Sequence, residues 1–233
     1  MNDILVGREK ECAAISALIS QRKNIIIFGL EGVGKSAIIE SVLKDKNITS
    51  LLYSQDSRTL KGLLSNLIIS ILGNTKSVQG LNTLALKKAL YGIINEKKPE
   101  YIVFDHVESV EPKFYSLFVY LMEAKIPLIV LSRGLQKQDI GHLRMSLFSF
   151  EKVEISNLDK LTADILIDHF IKKYGIKITK DADFKKQIFH FSKGNPKIIK
   201  GLCFIARDVK YQKDDVLDVK LMDLDRRINE VVH

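Results

Sequence analysis

Tryptophan is absent from the sequence, and its 233 residues include only 2 cysteines and 4 prolines. Two cysteines are too few for a disulfide framework, so Cys12 and Cys203 are expected to be reduced thiols of a cytosolic protein. The N-terminus lacks a basic segment followed by a long apolar stretch, which argues against a secretory signal. No uninterrupted apolar run approaches about 18 residues, so a membrane span is not expected.

The overall composition is that of a folded protein with a basic surface. The sequence is 46% hydrophobic and 27% charged, with a net charge of +8, which excludes a disordered class and leaves room for one large domain or two smaller ones. A positive charge attracts polyanions and also suits a nucleotide ligand. Lysine-rich faces that are simply solvated explain such a charge equally well.

Helical and strand patterns alternate through the first two thirds of the chain, which predicts an α/β fold with a mostly parallel sheet. Continuous apolar runs such as "NIIIFG" indicate strands covered on both faces. The predicted strands span residues 24–29, 48–55, 101–105, 126–132 and 151–156.

From residue 157 onward the sequence contains only helical periods, and no further strand is needed. The natural division is therefore an α/β domain over residues 1–156 and a helical domain over residues 157–233. The predicted helices of the second domain span residues 159–174, 181–193, 196–211 and 215–231.

The segment "GLEGVGKS", Gly29 to Ser36, fits the G-x-x-x-x-G-K-[ST] pattern of a phosphate-binding loop. It follows an apolar strand and opens a helix, the context in which backbone N–H groups and the helix N-terminus hold phosphate. We expect Lys35 to reach the β- and γ-phosphates of a nucleotide and the Ser36 hydroxyl to bind Mg²⁺. The predicted nucleotide-binding residues of this segment are Gly29, Leu30, Glu31, Gly32, Val33, Gly34, Lys35, Ser36 and Ala37.

A second candidate for the metal lies at the end of the strand "YIVFD", where Asp105 follows four mostly β-favouring residues. In P-loop proteins an acid at a strand end holds the magnesium ion, usually through water. Asp105 alone would be an ordinary loop carboxylate, but together with the phosphate loop it is the best candidate on the metal side. The predicted cofactors are therefore ATP and Mg²⁺. No N-K-x-D guanine motif is present, which favours ATP over GTP.

Four blocks of the chain resemble, in the same order, those of AAA+ and STAND-type P-loop ATPases, a group that includes archaeal-type ATPases and origin-recognition relatives. "ILVGREKECAAISALI" resembles the segment that lies against adenine, which makes Val6 and Gly7 expected base contacts. The phosphate loop is the second block. "VLSRG" resembles the strand end near the γ-phosphate, which adds Ser132 and Arg133 to the catalytic candidates Lys35 and Asp105. "FSKGNPKIIKGL" resembles the lid segment whose proline, here Pro196, packs on adenine.

The resemblance implies a P-loop NTPase fold with a five-stranded parallel sheet flanked by helices, followed by a small all-helical lid. In that fold the strand of Ser132 lies between the phosphate-loop strand and the Asp105 strand. Each block also has a plainer interpretation. Gly7 to Glu9 can be a turn and a charged first helical turn, and Asn195-Pro196 can be a helix start.

The chain departs from the AAA+ pattern after Asp105, where His106 replaces the glutamate that polarises water. His106 is a candidate base because an imidazole is largely neutral at pH 7, and capping the loop is an equal alternative. Glu108 and Glu111 are further acids near this point. Lys197 stands where a second lid arginine is expected, and Arg144 is an unsupported candidate for an arginine that reaches a neighbouring subunit. These departures point to slow or partner-dependent turnover.

Two helical stripes near the C-terminus suggest surfaces for packing or binding. One is apolar and is expected to pack on the lid or on a partner; it comprises Leu217, Leu221, Leu224, Ile228 and Val231. The other is basic and is either a phosphate-backbone stripe or, as we favour, a solvated face. It comprises Lys197, Lys200, Arg207 and Lys210.

The resulting functional hypothesis is an ATP-binding module, a slow Mg²⁺-dependent ATPase (ATP and water to ADP and phosphate) that acts as a nucleotide-controlled molecular switch. Its expected partners are ATP and ADP, together with another protein or further copies of itself, with no membrane. One alternative is a DNA-associated AAA+ ATPase of initiator, loader or transposition-regulator type. Another is a nucleotide-binding scaffold without significant hydrolysis.

Overall fold

The structure, a computed structural model, describes residues 5–54, 59–107, 112–178, 180–213 and 216–232. Glu108 and Glu111, two of the candidate acids, lie outside the described residues. The chain divides into two compact units. The sheet unit comprises Lys10–Leu30 and Lys35–Ile155, and the helical unit comprises the described parts of Met1–Glu9, Glu31–Gly34 and Ser156–His233.

Five parallel strands form the centre of the sheet unit, in the order β2-β3-β4-β1-β5. β4 lies between β1 and β3, so the strand order implied by the resemblance is confirmed, and so is the predicted α/β fold class. In the register of the central strands Ile27 pairs with Leu131 on one side and Val153 on the other. The strands are β1 Ile25–Phe28, β2 Leu51–Ser54, β3 Tyr101–Phe104, β4 Leu128–Ser132 and β5 Glu151–Glu154.

Burial across the sheet follows the apolar runs in the sequence. Every residue of β3 and β4 is buried, as expected of parallel strands covered on both faces. β5 is an edge strand whose two glutamates and lysine are exposed, and charged side chains are a common protection of an edge. All five predicted strands are present.

The helices of this region begin and end at residues with clear local reasons. The side chain of Thr59 accepts a hydrogen bond from the Gly62 N–H at the start of α3, and Gly73 ends that helix in the left-handed conformation. Asn82 caps α4 in the same way through the Ala85 N–H. The helices are α1 Glu9–Ser20, α2 Lys35–Asp45, α3 Leu60–Leu72, α4 Thr83–Lys97, α5 Phe114–Glu123 and α6 Lys137–Ile140.

The helical unit has a separate apolar core around Ile167, Ile188 and Leu202. Its helices are α7 Lys160–Tyr174, α8 Asp181–Ser192, α9 Pro196–Ile205 and α10 Val219–Val232. None of the helices in the described part of the chain is long and apolar enough to cross a membrane. Cys203 is buried in this core, where burial raises the pKa of its thiol to about 12, and both cysteines are free thiols.

One prediction for the C-terminal region is wrong. The helix predicted over residues 196–211 ends at Ile205, and a short antiparallel pair follows it, β6 Gln212–Lys213 and β7 Val216–Leu217. A two-residue strand is too short to produce a periodic signal in the sequence.

The apolar stripe predicted to pack on the lid or on a partner is divided, because Leu217 is buried and Leu221 is half-buried against the core of the helical unit while other members are exposed. Val219 and Met222 are fully buried, whereas Leu224 and Ile228 are 54% and 52% exposed. Asp223, which the pattern places on the polar side, is buried and pairs with Arg226 and Arg227. This ion pairing allows the polar-looking face to turn inward, because a buried carboxylate needs charged partners.

Candidate nucleotide site

The phosphate loop, Gly29 to Ser36, lies between the end of β1 at Phe28 and the start of α2 at Lys35. This is the predicted context, with a buried parallel strand before the loop and a helix N-terminus after it. Gly32 and Gly34 have φ angles of 80° and 98°, values that glycine adopts readily and other residues avoid. The backbone therefore has the conformational freedom that a phosphate-binding loop requires.

The Lys35 side chain folds back over its own loop. Its Nζ donates to the carbonyl oxygens of Gly29, at 2.7 Å, and Leu30, at 3.1 Å, and the residue is 8% exposed. A buried ammonium group needs such acceptors. The lysine is thus held at the first two residues of the loop, at the carboxyl end of β1.

Asp105 follows β3 directly and is 8% exposed. Its Oδ2 accepts a hydrogen bond of 2.5 Å from the hydroxyl of Tyr53. Nδ1 of His106 lies 2.7 Å from Oδ1, yet Oδ1 has no hydrogen-bond partner among the described residues. The ring N–H of His106 is therefore not directed at Oδ1, and this oxygen is unsatisfied within the described part of the chain.

Tyr53, near the end of β2, is a site residue that the sequence did not reveal. Burial raises the pKa of its hydroxyl above the ordinary value, the hydrogen bond to Asp105 raises it further, and the side chain of Ser36 opposes this with a hydrogen bond of its own. The phenol therefore stays protonated and donates to Asp105. Tyr53 thus interacts with both predicted metal ligands, Asp105 and Ser36.

These residues fit a magnesium ion. A buried carboxylate oxygen without a hydrogen bond is costly unless a cation or water satisfies it, and Oδ1 of Asp105 is such an atom. Magnesium is usually bound by one or two protein oxygens, with phosphates and water as the other ligands. Within the described ranges no three His, Cys, Asp or Glu side chains are grouped as metal ligands.

His106 adopts a left-handed backbone conformation, with φ of 55°. Such a conformation is uncommon for residues other than glycine, and uncommon backbone conformations cluster at functional sites. The imidazole is 45% exposed. One ring nitrogen is thus close to Asp105, while much of the ring faces solvent.

Ser132 and Arg133 follow each other at the end of β4 but have different surroundings. Ser132 is 1% exposed, and its hydroxyl donates to the Gly134 carbonyl at 2.8 Å. Its own carbonyl accepts from the Gly29 N–H, which joins the end of β4 to the start of the phosphate loop. Arg133 is exposed and has no ion pair within the described part of the chain. Their predicted roles near the γ-phosphate stay predictions.

The middle of the phosphate loop belongs to the helical unit, and three successive carbonyls there accept hydrogen bonds from that unit. Asn195 Nδ2 donates to the Glu31 carbonyl at 2.8 Å, and the Lys197 N–H donates to that of Gly32 at 3.1 Å. Arg8 donates to the Val33 carbonyl at 3.1 Å. We call these three donors, Asn195, Lys197 and Arg8, the loop clasp.

A salt bridge accompanies the clasp, because Lys197 Nζ lies 2.5 Å from Oε1 of Glu31. Gly32 is required by this close approach, since a Cβ at that position would lie 2.6 Å from the Cβ of Lys197 and 2.7 Å from Oδ1 of Asn195. Lys197, considered above as a weak replacement for a lid arginine, is thus engaged by a loop residue.

Arg8 has a larger role than the charged helical turn that the sequence suggested. It is 5% exposed and donates to the carbonyls of both Val33 and Ser156, the latter at 2.6 Å. A buried guanidinium has several donors in fixed directions and suits such a bridge. A charged residue in an amphipathic first turn gives no sequence signal for this role.

The predicted adenine contacts lie in the helical unit. Val6 is half-buried against its core, and a Cβ on Gly7, where φ is 65°, would overlap the Thr162 side chain. Pro196 is the first residue of α9, directly after Asn195, whose side chain caps the helix by accepting from the Lys197 and Ile198 N–H groups. Leu30 and Ala37 of the loop segment are exposed.

No protein-family model matches the sequence, and no curated protein matches it either. Solved structures do resemble it. Orc1 of Aeropyrum pernix, in complex with DNA, has a TM-score of 0.75 at 15% identity, over 99% of this chain and 69% of that chain. A Walker-type ATPase of Pyrococcus abyssi has a TM-score of 0.68 at 13% identity, over 98% and 74%. AMPPCP-bound DnaA from Aquifex aeolicus has a TM-score of 0.57 at 18% identity, over 97% and 67%.

These likenesses extend over nearly the whole of this chain but only about two thirds to three quarters of the other proteins. At such low identity they establish the fold and do not transfer an activity. The narrower resemblance to STAND-type ATPases stays a prediction. The strand order, the phosphate loop and the structural likenesses together show that this chain has the fold of the AAA+ P-loop ATPases.

Proposed function

We propose that the protein binds ATP with Mg²⁺ and works as a nucleotide-controlled switch with slow ATPase activity. The observation that carries the proposal is the intact phosphate loop between β1 and α2, together with the unsatisfied Oδ1 of Asp105. We place the ATPase domain over residues 1–156 and the lid domain over residues 157–233. The free thiols of Cys12 and Cys203 are consistent with the reducing cytoplasm that we propose as its location.

The candidate site residues have proposed roles in the state with ATP and Mg²⁺ bound. The loop N–H groups and Lys35 bind the phosphates, and Ser36 and Asp105 hold the ion, with Tyr53 fixing the Asp105 carboxylate. Bound Mg²⁺ supplies positive charge that neutralises the charge developing on the transferred phosphoryl group. Ser132 and Arg133 are proposed near the γ-phosphate, and Val6, Gly7 and Pro196 as contacts of the adenine.

Slow hydrolysis is proposed because His106 stands where the pattern expects a glutamate. The imidazole lies beside Asp105, with Nδ1 2.7 Å from Oδ1, and is 45% exposed, so we assign it the place of the missing glutamate. The alternative without hydrolysis predicts that Mg-ATP binds and no phosphate is released.

The test is ATP binding and phosphate release by Lys35→Ala. Loss of a charged donor to phosphate should weaken ATP binding on the order of 100-fold. Lys44→Ala is the matched control, because Lys44 is an exposed lysine of the same helix, and it should bind ATP as the unaltered protein does. Unchanged ATP affinity in Lys35→Ala would show that the site is wrongly assigned.

A second candidate function, a DNA-associated ATPase, is favoured by two observations. The net charge is +8, and the Aeropyrum pernix Orc1 structure that this chain resembles was solved in complex with DNA. Under this candidate the switch acts on a nucleic acid, alone or with further copies of the chain, rather than on another protein. Binding of duplex DNA at low salt is its test, described below together with the surface responsible.

A further inference from the structure

The basic stripe predicted after Asn195 is largely engaged within the protein. Lys197 pairs with Glu31, and Lys210 pairs with Asp225 at 3.2 Å. The Arg207 guanidinium lies 3.9 Å from the centre of the Phe204 ring, a cation–π contact. These side chains would have to leave their partners to bind phosphate, so the stripe is a poor surface for a polyanion.

A different basic surface lies along α8, where an open groove of about 790 Å³ is lined mainly by cations. We call it the α8 groove. It contains one acid, Asp183. Its basic side chains are Lys160, Lys180, Lys186, His190 and Lys193.

Three of these lysines are available for an external anion. Lys180, Lys186 and Lys193 are exposed, and within the described residues they have no ion pair with an acid. The neighbouring Lys185 is different, since Asp168 and Asp181 hold it at 2.6 and 2.8 Å and raise its pKa. Asp168 and Asp181 are thus directed to Lys185, and Asp183 remains the one acid of the groove beside four lysines.

The spacing of these side chains suits a phosphate backbone. Lys186, His190 and Lys193 are four and three residues apart, so they share one face of α8 and its end. Seven residues of helix span about 10 Å, and each strand of a duplex carries one phosphate per about 3.4 Å of the duplex axis, so these side chains extend over about three base pairs. Lys180, the residue before α8, extends the basic surface to the other end of the helix.

The aromatic residue of the groove argues against base stacking. Phe189 is half-buried, and Nζ of Lys160 lies 5.4 Å from its ring centre. Single-strand binding usually relies on open aromatic faces, whereas this ring already has a cation over it. Lys160 itself pairs with Asp164.

We infer that the α8 groove binds the phosphate backbone of duplex nucleic acid through Lys180, Lys186 and Lys193. The inference rests on the second candidate function and assigns it a surface. Because the contacts are to phosphates, binding should be independent of base sequence and strongly dependent on salt.

The experiment measures binding of a short fluorescent duplex by anisotropy over a series of NaCl concentrations, with and without Mg-ATP. The groove variant carries Lys180→Gln, Lys186→Gln and Lys193→Gln. Its plot of log affinity against log salt should be less steep than that of the unaltered protein, by about 0.9 for each lost phosphate contact and about 2.7 in total. The control removes the same charge from three exposed lysines of α2 and α4, with Lys44→Gln, Lys88→Gln, Lys97→Gln. Its slope should stay unchanged, and circular dichroism checks that both variants fold.

Three outcomes would overturn part of the argument, and they are distinguishable. If the unaltered protein binds no duplex at low salt, the second candidate function fails together with the groove. If it binds and both triple variants weaken equally, DNA association stands and the groove is refuted. If the groove variant keeps duplex binding but loses binding to vesicles of anionic lipid, the surface is a membrane site and the inference is wrong.

Discussion

Asp105 is the residue on which the proposed metal chemistry depends, and its two oxygens have different environments. Oδ2 is satisfied by the Tyr53 hydroxyl, whereas Oδ1 is buried without a hydrogen bond. A donor that holds one oxygen of a carboxylate fixes its orientation and leaves the other oxygen for a cation. Tyr53 is such a donor, because burial raises the pKa of its hydroxyl.

Replacing Tyr53 with phenylalanine should therefore affect both stability and magnesium. A hydrogen bond to a charged group contributes about 1.5–3 kcal/mol, so urea unfolding should show a loss of that order. The Mg²⁺ concentration that gives half-maximal ATP binding should rise several-fold, because the carboxylate is no longer fixed, while ATP binding in EDTA stays the same.

Tyr101→Phe is the matched control for Tyr53→Phe. Its buried hydroxyl donates to the Ile19 carbonyl at 3.1 Å, away from Asp105. This variant should lose stability without a change in magnesium dependence. An equal shift of magnesium dependence in both variants would contradict the role of Tyr53.

Sequence reasoning found the site residues that carry a local pattern and missed those that act across the fold. Lys35 and Ser36 belong to a motif, and Asp105 ends an apolar run. Tyr53 and Asn195 reach their partners across 52 and 164 positions of the chain. Their roles depend on the strand order and on the packing of the loop, and the spacing of residues in a single sequence predicts neither.

At the scale of elements, α9 joins two tasks at its first turn. Asn195 accepts from the Lys197 and Ile198 N–H groups as the cap of the helix, and its amide donates to the Glu31 carbonyl. The first helical N–H groups need such an acceptor. One side chain therefore fixes both the start of α9 and the backbone of the phosphate loop.

The two tasks can be separated by a pair of substitutions at Asn195. Serine is about as good a cap as asparagine, but it is too short to replace the amide donor to Glu31, whereas alanine removes both. Asn195→Ala should unfold in urea with about 1 kcal/mol less stability than Asn195→Ser. Both should weaken ATP binding to a similar extent, because both release the loop carbonyl. If Asn195→Ser binds ATP like the unaltered protein, the clasp does not support the loop.

The elements themselves were predictable where the pattern is continuous. Four apolar runs and one alternating segment predicted the five strands that are present, but their order came from the resemblance, because periodicity does not show which strands are neighbours. On α10 the apolar stripe did not indicate that Val219, Met222 and Asp223 are the buried residues. Two arginines neutralise Asp223 and let it turn inward. The spacing of apolar residues along a helix does not reveal such ion pairs.

At the scale of the whole molecule, the phosphate loop is shared by the two units. Its middle, Glu31–Gly34, belongs to the helical unit, and the residues before and after it belong to the sheet unit. Each unit has its own apolar core. Within the helical unit the loop segment is held by Asn195, Lys197 and Arg8, so an ordered loop and an ordered start of α9 depend on each other.

Saturating Mg-ATP should stabilise the protein against thermal unfolding. A ligand at 100 times its dissociation constant adds about 2.7 kcal/mol, which for a chain of this size raises the melting temperature by about 5–10 °C. Because the sequence has no tryptophan, circular dichroism is the appropriate probe of unfolding. Hydrogen exchange should slow in β1 and α2 of the sheet unit and also at the start of α9. Lys35→Ala should show neither effect, and protection confined to the sheet unit would mean that the helical unit does not respond to the nucleotide.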